Sequence, residues 1–447
     1  MPQATSPRLP VGVLVAIGMM LFALFFGAGN LIFPAALGQQ AGASMWPAAA
    51  GFLITGVGLP LAGVVAMGIS GARDLQALSS RVHPWFGVAF TVALYLTIGP
   101  LFAIPRTGSV AFELGLTYWL PEQGRKPWEI GFLLVFFGLA LWLALSPGRL
   151  VDRIGRVLTP LLLLAMAVLI VATFVAPMGV PMAPQDNYQS GPFLQGFLAG
   201  YETMDALAAL VFGILVLQAV RQAGIAEVGS VARATFTAGL VAAVLLAVVY
   251  VCIARMGAMS NEVLGLRENG AQVLSGVAAH YYGAWGAALL GVMVFLACMT
   301  TAVGLIAACA TYFHRLFPRL GYRLLACLFA LASFLVASMG LNAILSAAVP
   351  VLVFLYPLTI VLVVLAFGQH LFGWGAPVWR WAMGATVLAA LLHALQGSAL
   401  MPEALQGVLA NIPGQAVGMG WMWFALVGLA IGLLHWLASG RRPLAAG

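Results

Sequence analysis

Long apolar runs, each near the length of a bilayer crossing and parted by short polar stretches, repeat along the whole chain. A helix needs roughly 20 apolar residues to cross about 30 Å of hydrocarbon. Twelve runs qualify: 12–38, 46–69, 85–113, 129–146, 154–176, 193–219, 231–256, 284–312, 322–340, 342–367, 378–396 and 418–438. The pattern predicts an all-α membrane protein with 12 transmembrane helices. The stretch 262–281 carries Glu262, Arg267, Glu268 and His280, and is expected as an interfacial or loop helix rather than a span. The first run lacks a cleavage site after it and is read as a retained span, not a signal peptide.

Composition agrees with this class. Hydrophobic residues make up 63% of the chain and charged residues 7%, against about 25% charged in a soluble domain. A soluble fold would have too little polar surface to meet water. The net charge of +7 then has a topological meaning, because basic residues collect in cytoplasmic loops. With both termini cytoplasmic, fourteen of the nineteen basic residues fall inside: Arg8, Arg73, Arg81, Arg149, Arg153, Arg156, Arg221, Arg233, Arg315, Arg319, Arg323, Arg380, Arg441 and Arg442. Four fall outside (Arg125, Lys126, Arg255 and Arg267), and Arg106 lies within a span. No nucleic-acid partner is implied. Residues 1–11 and 441–447 are expected as cytoplasmic termini, and the proline-rich 177–192 as an external loop. The cysteines Cys252, Cys298, Cys309 and Cys327 lack metal-ligand spacing and are expected as small buried hydrophobes.

Interruptions in the spans carry the functional signal. Span one contains Gly27-Ala28-Gly29-Asn30 about midway, followed by Pro34. Glycine is costly in a helix interior, and Pro34 removes a donor and crowds the Asn30 carbonyl. An unwound stretch is expected at 27–30. Span six contains Gly200-Tyr201-Glu202-Thr203-Met204-Asp205, with two carboxylates inside an apolar run. Charges at that depth are expensive and mark function. Such glycines also serve helix packing, but paired breaks at spans one and six point to a secondary carrier with its site between two repeats. Half-helix N-termini suit a substrate carboxylate, and freed carbonyls suit a cation.

Span eight offers hydroxyls for a cation. Ala297, Thr300 and Thr301 share one helix face. Membrane threonines also bond back to their own helix, so the pair gains weight only opposite a broken first helix. Arg106 is expected to pair with Glu202 or Asp205, as a structural tie or as a gate, since an unpaired charge there is costly. His393 is expected as a packing residue. No catalytic motif of an enzyme is present, and a pore built from repeated subunits is not suggested.

These residues resemble a known family. Phe22 to Pro34, Gly51-Phe52-Leu53-Ile54-Thr55 with Gly58-Leu59-Pro60, Gly99 to Thr107, Gly200 to Asp205, and Ala297 to Leu305 are similar, in order, to the branched-chain amino acid:cation symporter family, the BrnQ-type carriers. The resemblance covers nearly the whole chain. It implies the 5+5 inverted-repeat fold of the LeuT type, within the APC superfamily, with broken helices 1 and 6. The first repeat would be 12–176 and the second 193–367, with spans 11 and 12 in 368–440. The implied activity is inward symport of leucine, isoleucine or valine with Na+, across a bacterial cytoplasmic membrane and without another cofactor. A proton-coupled carrier, or one for another small neutral solute, is the alternative. The ion would be held by Ala23, Phe26, Ala297, Thr300 and Thr301. The amides of Gly27, Ala28, Gly29 and Asn30 would hold the substrate carboxylate, and Tyr201, Glu202, Thr203, Met204 and Asp205 would close the pocket. Glu202 stands where some relatives have an apolar residue, which favours proton involvement or simply answers Arg106.

Overall fold

Backbone polar groups in hydrocarbon find partners only within helices or closed barrels. This chain uses helices, with no strand among the described residues. The computed structural model describes residues 9–439, apart from 122, 226, 373–375, 396–406, 408, 410, 416 and 417. The expectations for most of both termini, including Arg8, Arg441 and Arg442, lie outside the described residues.

The helices are α1 (Val11–Phe25), α2 (Ala28–Ala41), α3 (Met45–Leu53), α4 (Leu59–Ile69), α5 (Leu75–Ser79), α6 (Pro84–Leu96), α7 (Ala103–Gly115), α8 (Arg125–Ala144) and α9 (Thr159–Val175). They continue as α10 (Pro192–Tyr201), α11 (Asp205–Gln222), α12 (Val228–Leu264), α13 (Gly270–Tyr282), α14 (Ala284–Leu316), α15 (Tyr322–Ala337), α16 (Leu341–Phe372), α17 (Ala376–Leu395) and α18 (Trp421–Ala438). Ten helical stretches among the described residues are long and apolar enough to cross a membrane, and α1 and α15 are shorter apolar helices. The polar stretch 262–281 divides between the end of α12 and the 13-residue α13.

Several helices are modified where the sequence carries glycine or proline. A wide π turn, Ile54–Gly58, joins α3 to α4. Another, Thr97–Leu101, joins α6 to α7 and contains Gly99 at φ −81°, ψ −119°. Pro100 follows it and cannot donate, which explains the kink.

The expected unwound stretch 27–30 is shorter in the structure. Only Phe26 and Gly27 separate α1 from α2, and Asn30 is already helical. The reason is local: the Asn30 side chain accepts the Gly27 amide at 3.2 Å and caps the new helix. The second interruption lies at 202–204 rather than at Gly200, because α10 runs on to Tyr201. Met204 there takes the left-handed conformation, φ 67°, which costs about 1–2 kcal/mol outside glycine.

Gly200 and its neighbours instead serve close packing. A methyl on Gly38 of α2 would lie 1.8 Å from the Ala254 carbonyl oxygen of α12, and one on Gly196 of α10 would lie 1.8 Å from that of Ala48 on α3. On Gly200 it would lie 2.2 Å from Thr55 Oγ1. Thus α1 and α2 both pack on α12, while α10 packs on α3 and α11 on α4. The buried centre is built from α1, α2, α11 and α14. Helices α8, α9 and α18 present exposed Leu134, Trp142, Leu164 and Leu434, as a lipid-facing belt requires.

Candidate functional site

The two interruptions meet. Asn30 Nδ2, one turn into α2, donates to Asp205 Oδ2 at the first residue of α11. The same amide donates to the Tyr250 hydroxyl of α12, and that hydroxyl donates to Asp205 Oδ2 at 3.3 Å. The Asp205 backbone N–H donates to Thr203 Oγ1 at 3.4 Å, and Thr203 Oγ1 donates to the Gly200 carbonyl at 2.9 Å. Asn30, Thr203, Asp205 and Tyr250 are all buried. Phe26 stacks on Tyr250 with centroids 6.1 Å apart. A buried carboxylate held by two neutral donors is a charge-assisted network.

Across the first interruption lies α14. Thr300 Oγ1 donates to the Ala23 carbonyl at 2.8 Å and to the Ala297 carbonyl at 2.9 Å. Thr301 Oγ1 donates to the Leu24 carbonyl at 3.0 Å and reaches that of Ala23 at 3.5 Å. Both hydroxyls therefore turn toward the end of α1, and only Thr300 also bonds back to its own helix. Four of the five oxygens expected for a cation converge; no contact joins the Phe26 carbonyl to them, and the Leu24 carbonyl joins in its place. No cluster of His, Cys, Asp and Glu suited to a metal occurs among the described residues. Carbonyl and hydroxyl oxygens are the ligands that hard cations take.

Three cavities surround these contacts. A central one of about 30 Å³ lies between the interruptions, bordered by Phe25, Gly27, Asn30, Ile98, Asp205 and Thr301. A side cavity of about 560 Å³ lies against α10 and α16. A mouth of about 850 Å³ opens at the end of the bundle that carries α13, among Glu113, Arg125, Glu129 and Arg267. Beside the side cavity, burial and then the Glu202 carboxylate push the Tyr188 phenol up to about 12. The opposite end carries two side-chain ties. Arg315 Nη1 meets Asp74 Oδ2 at 3.3 Å, and the Tyr312 hydroxyl donates to Gln76 Oε1 at 2.9 Å.

Arg106 does not form the expected ion pair. Neither Glu202 nor Asp205 lies within pairing distance of its guanidinium among the described residues. Asp205 is already engaged by Asn30 and Tyr250, and Glu202 caps α10 with its side chain exposed. The guanidinium instead rests on the Met204 sulfur, Nη1 to Sδ 3.7 Å. Arg106 and Met204 border both the central and the side cavity. Of the amides expected to hold a carboxylate, that of Gly27 is bonded to Asn30 Oδ1 and to the Phe25 carbonyl.

The model of the family described as branched-chain amino acid transport protein matches residues 12–438. The chain belongs to this family. The branched-chain amino acid permease BrnQ of Bacillus subtilis (strain 168) is 42% identical over 424 residues, 95% of this chain and 96% of the relative. The branched-chain amino acid transport system 2 carrier protein of Pseudomonas aeruginosa is 43% identical over 421 residues, 94% and 95%. The BrnQ permease of Escherichia coli (strain K12) is 38% identical over 429 residues, 96% and 97%. These relatives are named permeases and carriers, so this is a family of transporters and not of enzymes. A nucleobase-cation-symport-1 family transporter, solved closed with bromovinylhydantoin bound, has the same fold: TM-score 0.60 at 14% identity, over 99% of this chain and 97% of that one.

Within this branched-chain amino acid transporter fold, Tyr250 is the site residue that sequence reasoning missed. A hint was present: it is a hydroxyl in the middle of Val248-Val249-Tyr250-Val251, and a buried tyrosine hydroxyl seeks a partner. Cys298 and Cys309 are buried as expected, whereas Cys252 is half-buried and Cys327 is exposed on α15.

Proposed function

We propose that this chain is a sodium-coupled symporter that imports leucine, isoleucine and valine across a bacterial cytoplasmic membrane. The observation that carries the reading is the junction of the two interruptions, Asn30 to Asp205, with Thr300 and Thr301 turned onto the carbonyls that end α1. The cation would sit among Ala23, Ala297, Thr300 and Thr301, its charge replacing the hydroxyl-to-carbonyl bonds. The substrate carboxylate would meet the amides that start α2, and the 202–205 turn would face the substrate from the other side.

The reading includes twelve passes, with α1–α2 as the first and α10–α11 as the sixth, in a 5+5 inverted repeat of the LeuT type. Reciprocal packing supports it. Both halves of the first pass lie on α12, in the seventh, and both halves of the sixth lie on α3 and α4, in the second. An inverted repeat exchanges those pairs. Both termini would be cytoplasmic, so that α13 and the mouth are external and the Asp74–Arg315 tie is internal. The family and its named relatives support the cargo.

A second reading, proton coupling, is favoured by the buried Asp205 carboxylate. Uptake of labelled leucine into proteoliposomes separates the two. Sodium coupling requires accumulation driven by an inward sodium gradient at equal pH; accumulation driven equally well by a proton gradient without sodium rejects it.

A further inference from the structure

Arg255 stands on α12 at the end of the apolar run 231–256, where hydrocarbon gives way to lipid headgroups. It reaches across the boundary between α12 and α9, which pack together. Its guanidinium lies over the Phe174 ring of α9, 4.1 Å from the centroid, and Nη1 donates to the Thr173 carbonyl at 3.4 Å. The cation–π contact fixes the guanidinium without neutralising it. The group carries five N–H donors and belongs to no ion pair among the described residues. Glu262, seven residues further along α12, is engaged by the Val180 amide at 2.9 Å. A charge at the membrane boundary of a helical bundle without a counter-ion is costly and calls for one.

Apolar stripes run from this charge toward the bilayer centre. Val171, Ala167 and Leu164 precede Phe174 by three, seven and ten residues, and all are exposed. Val248 and Val244 precede Arg255 by seven and eleven residues, and both are exposed. At 3.6 residues per turn these intervals keep each set on the helix face that carries Phe174 or Arg255. Both helices run toward α13: the Tyr281 hydroxyl of α13 donates to the Ala176 carbonyl just past α9, and α12 leads into α13. The two stripes therefore lie side by side beneath one cation.

We propose that the groove between α9 and α12 binds an anionic phospholipid, with its phosphate on Arg255 and its acyl chains along the two stripes. Charge complementarity selects the headgroup. Basic sites between transmembrane helices attract anionic lipids, whereas a zwitterionic headgroup brings its own ammonium and no net charge. Geometry selects a lipid over a free anion, because inorganic phosphate meets Arg255 and leaves both stripes unused. The lipid pins α9 to α12 at the end that carries α13.

The test titrates the purified full chain, delipidated in detergent, with phosphatidylglycerol and separately with phosphatidylethanolamine, and counts bound lipid by native mass spectrometry. The wild type is expected to hold one phosphatidylglycerol more tightly than phosphatidylethanolamine. Arg255→Gln is expected to weaken that lipid by about fivefold, the worth of one arginine at a charged membrane surface. A large excess of inorganic phosphate is expected to leave it in place. Equal retention of the two lipids, unchanged binding in Arg255→Gln, or displacement by phosphate overturns the proposal. A second measurement needs no variant. Phosphatidylglycerol with a photoreactive group near the start of an acyl chain is activated on the wild type, and the labelled peptides are mapped. Labels concentrated in 164–175 and 244–255 support the groove; labels spread evenly over all lipid-facing helices overturn it.

Discussion

Asn30 in α2 donates its side-chain amide to the Asp205 carboxylate that opens α11, a bond between residues 175 apart in the chain. The bond holds the two helix interruptions at one depth in the bundle. Tyr250 completes it, taking the same amide and returning its own proton to Asp205. Removing a buried hydrogen-bond partner of a charged group costs about 1.5–3 kcal/mol. Tyr250→Phe should therefore lower initial leucine uptake about tenfold at unchanged membrane insertion, which proteoliposome assays at matched protein content would read. Asp205→Ala leaves both donors unpaired and should abolish uptake. Full activity of Tyr250→Phe would place the hydroxyl outside the transport cycle.

Thr301 and Thr300 make separable predictions. Thr301 is half-buried and bonds only to α1, while Thr300 is buried and bonds to both helices. Thr301→Ala should raise the sodium concentration for half-maximal uptake by about fivefold to thirtyfold, the equivalent of roughly 1–2 kcal/mol for one lost oxygen. Thr301→Ser, which keeps the oxygen, should restore the wild-type sodium curve. An unchanged curve in Thr301→Ala puts the cation elsewhere.

Close glycine contacts set a stability prediction. Gly38 and Gly196 each approach a carbonyl oxygen so nearly that a methyl would sit 1.8 Å from it. Overpacking of this kind costs about 1–3 kcal/mol. Gly38→Ala and Gly196→Ala should lower the apparent melting temperature in detergent, whereas Gly138→Ala, where nothing lies within 4 Å, should not. Equal melting of all three would remove the packing argument.

The end that carries α5 offers a test of closure. Arg81 donates to Gln369 Oε1 at 2.6 Å and to the Ser70 carbonyl, and lies over the Trp379 ring at 5.5 Å. Lysine keeps the charge and loses the planar fork. Arg81→Lys should destabilise the chain by about 1–3 kcal/mol, seen as a lower melting temperature and faster cysteine labelling from that side. Unchanged labelling would show that the tie does not hold the end shut.

Tyr188 gives a pH prediction. Its phenol is raised to about 12, so it stays neutral through pH 10, where an ordinary tyrosine is half ionised. Because the folded state retains that proton, stability attributable to Tyr188 is constant below about pH 10 and falls between there and about pH 12. Tyr188→Phe should leave the uptake profile from pH 6 to pH 9 superimposable on the wild type. An alkaline loss near pH 8 that vanishes in this variant would contradict the burial of the phenol.

Hydropathy and loop arginines were enough, from the sequence alone, to read a polytopic helical membrane protein, because span length and the charge of its flanks are local properties. The same holds for the neighbourhood of both interruptions, since Gly27, Gly29 and Pro34 disturb a helix wherever it packs, and for the face shared by Thr300 and Thr301. Only the tertiary structure decided which groups these elements meet. Tyr250 reaches Asn30 across 220 residues, through a rotation of α12 about its axis that no local pattern encodes. Packing also decided that Asp205 is spent on Asn30 and Tyr250, so that Arg106 turns to Met204 and stands between two cavities. Residue type says that a charge at that depth needs a partner; the distance between packed helices says which partner it has.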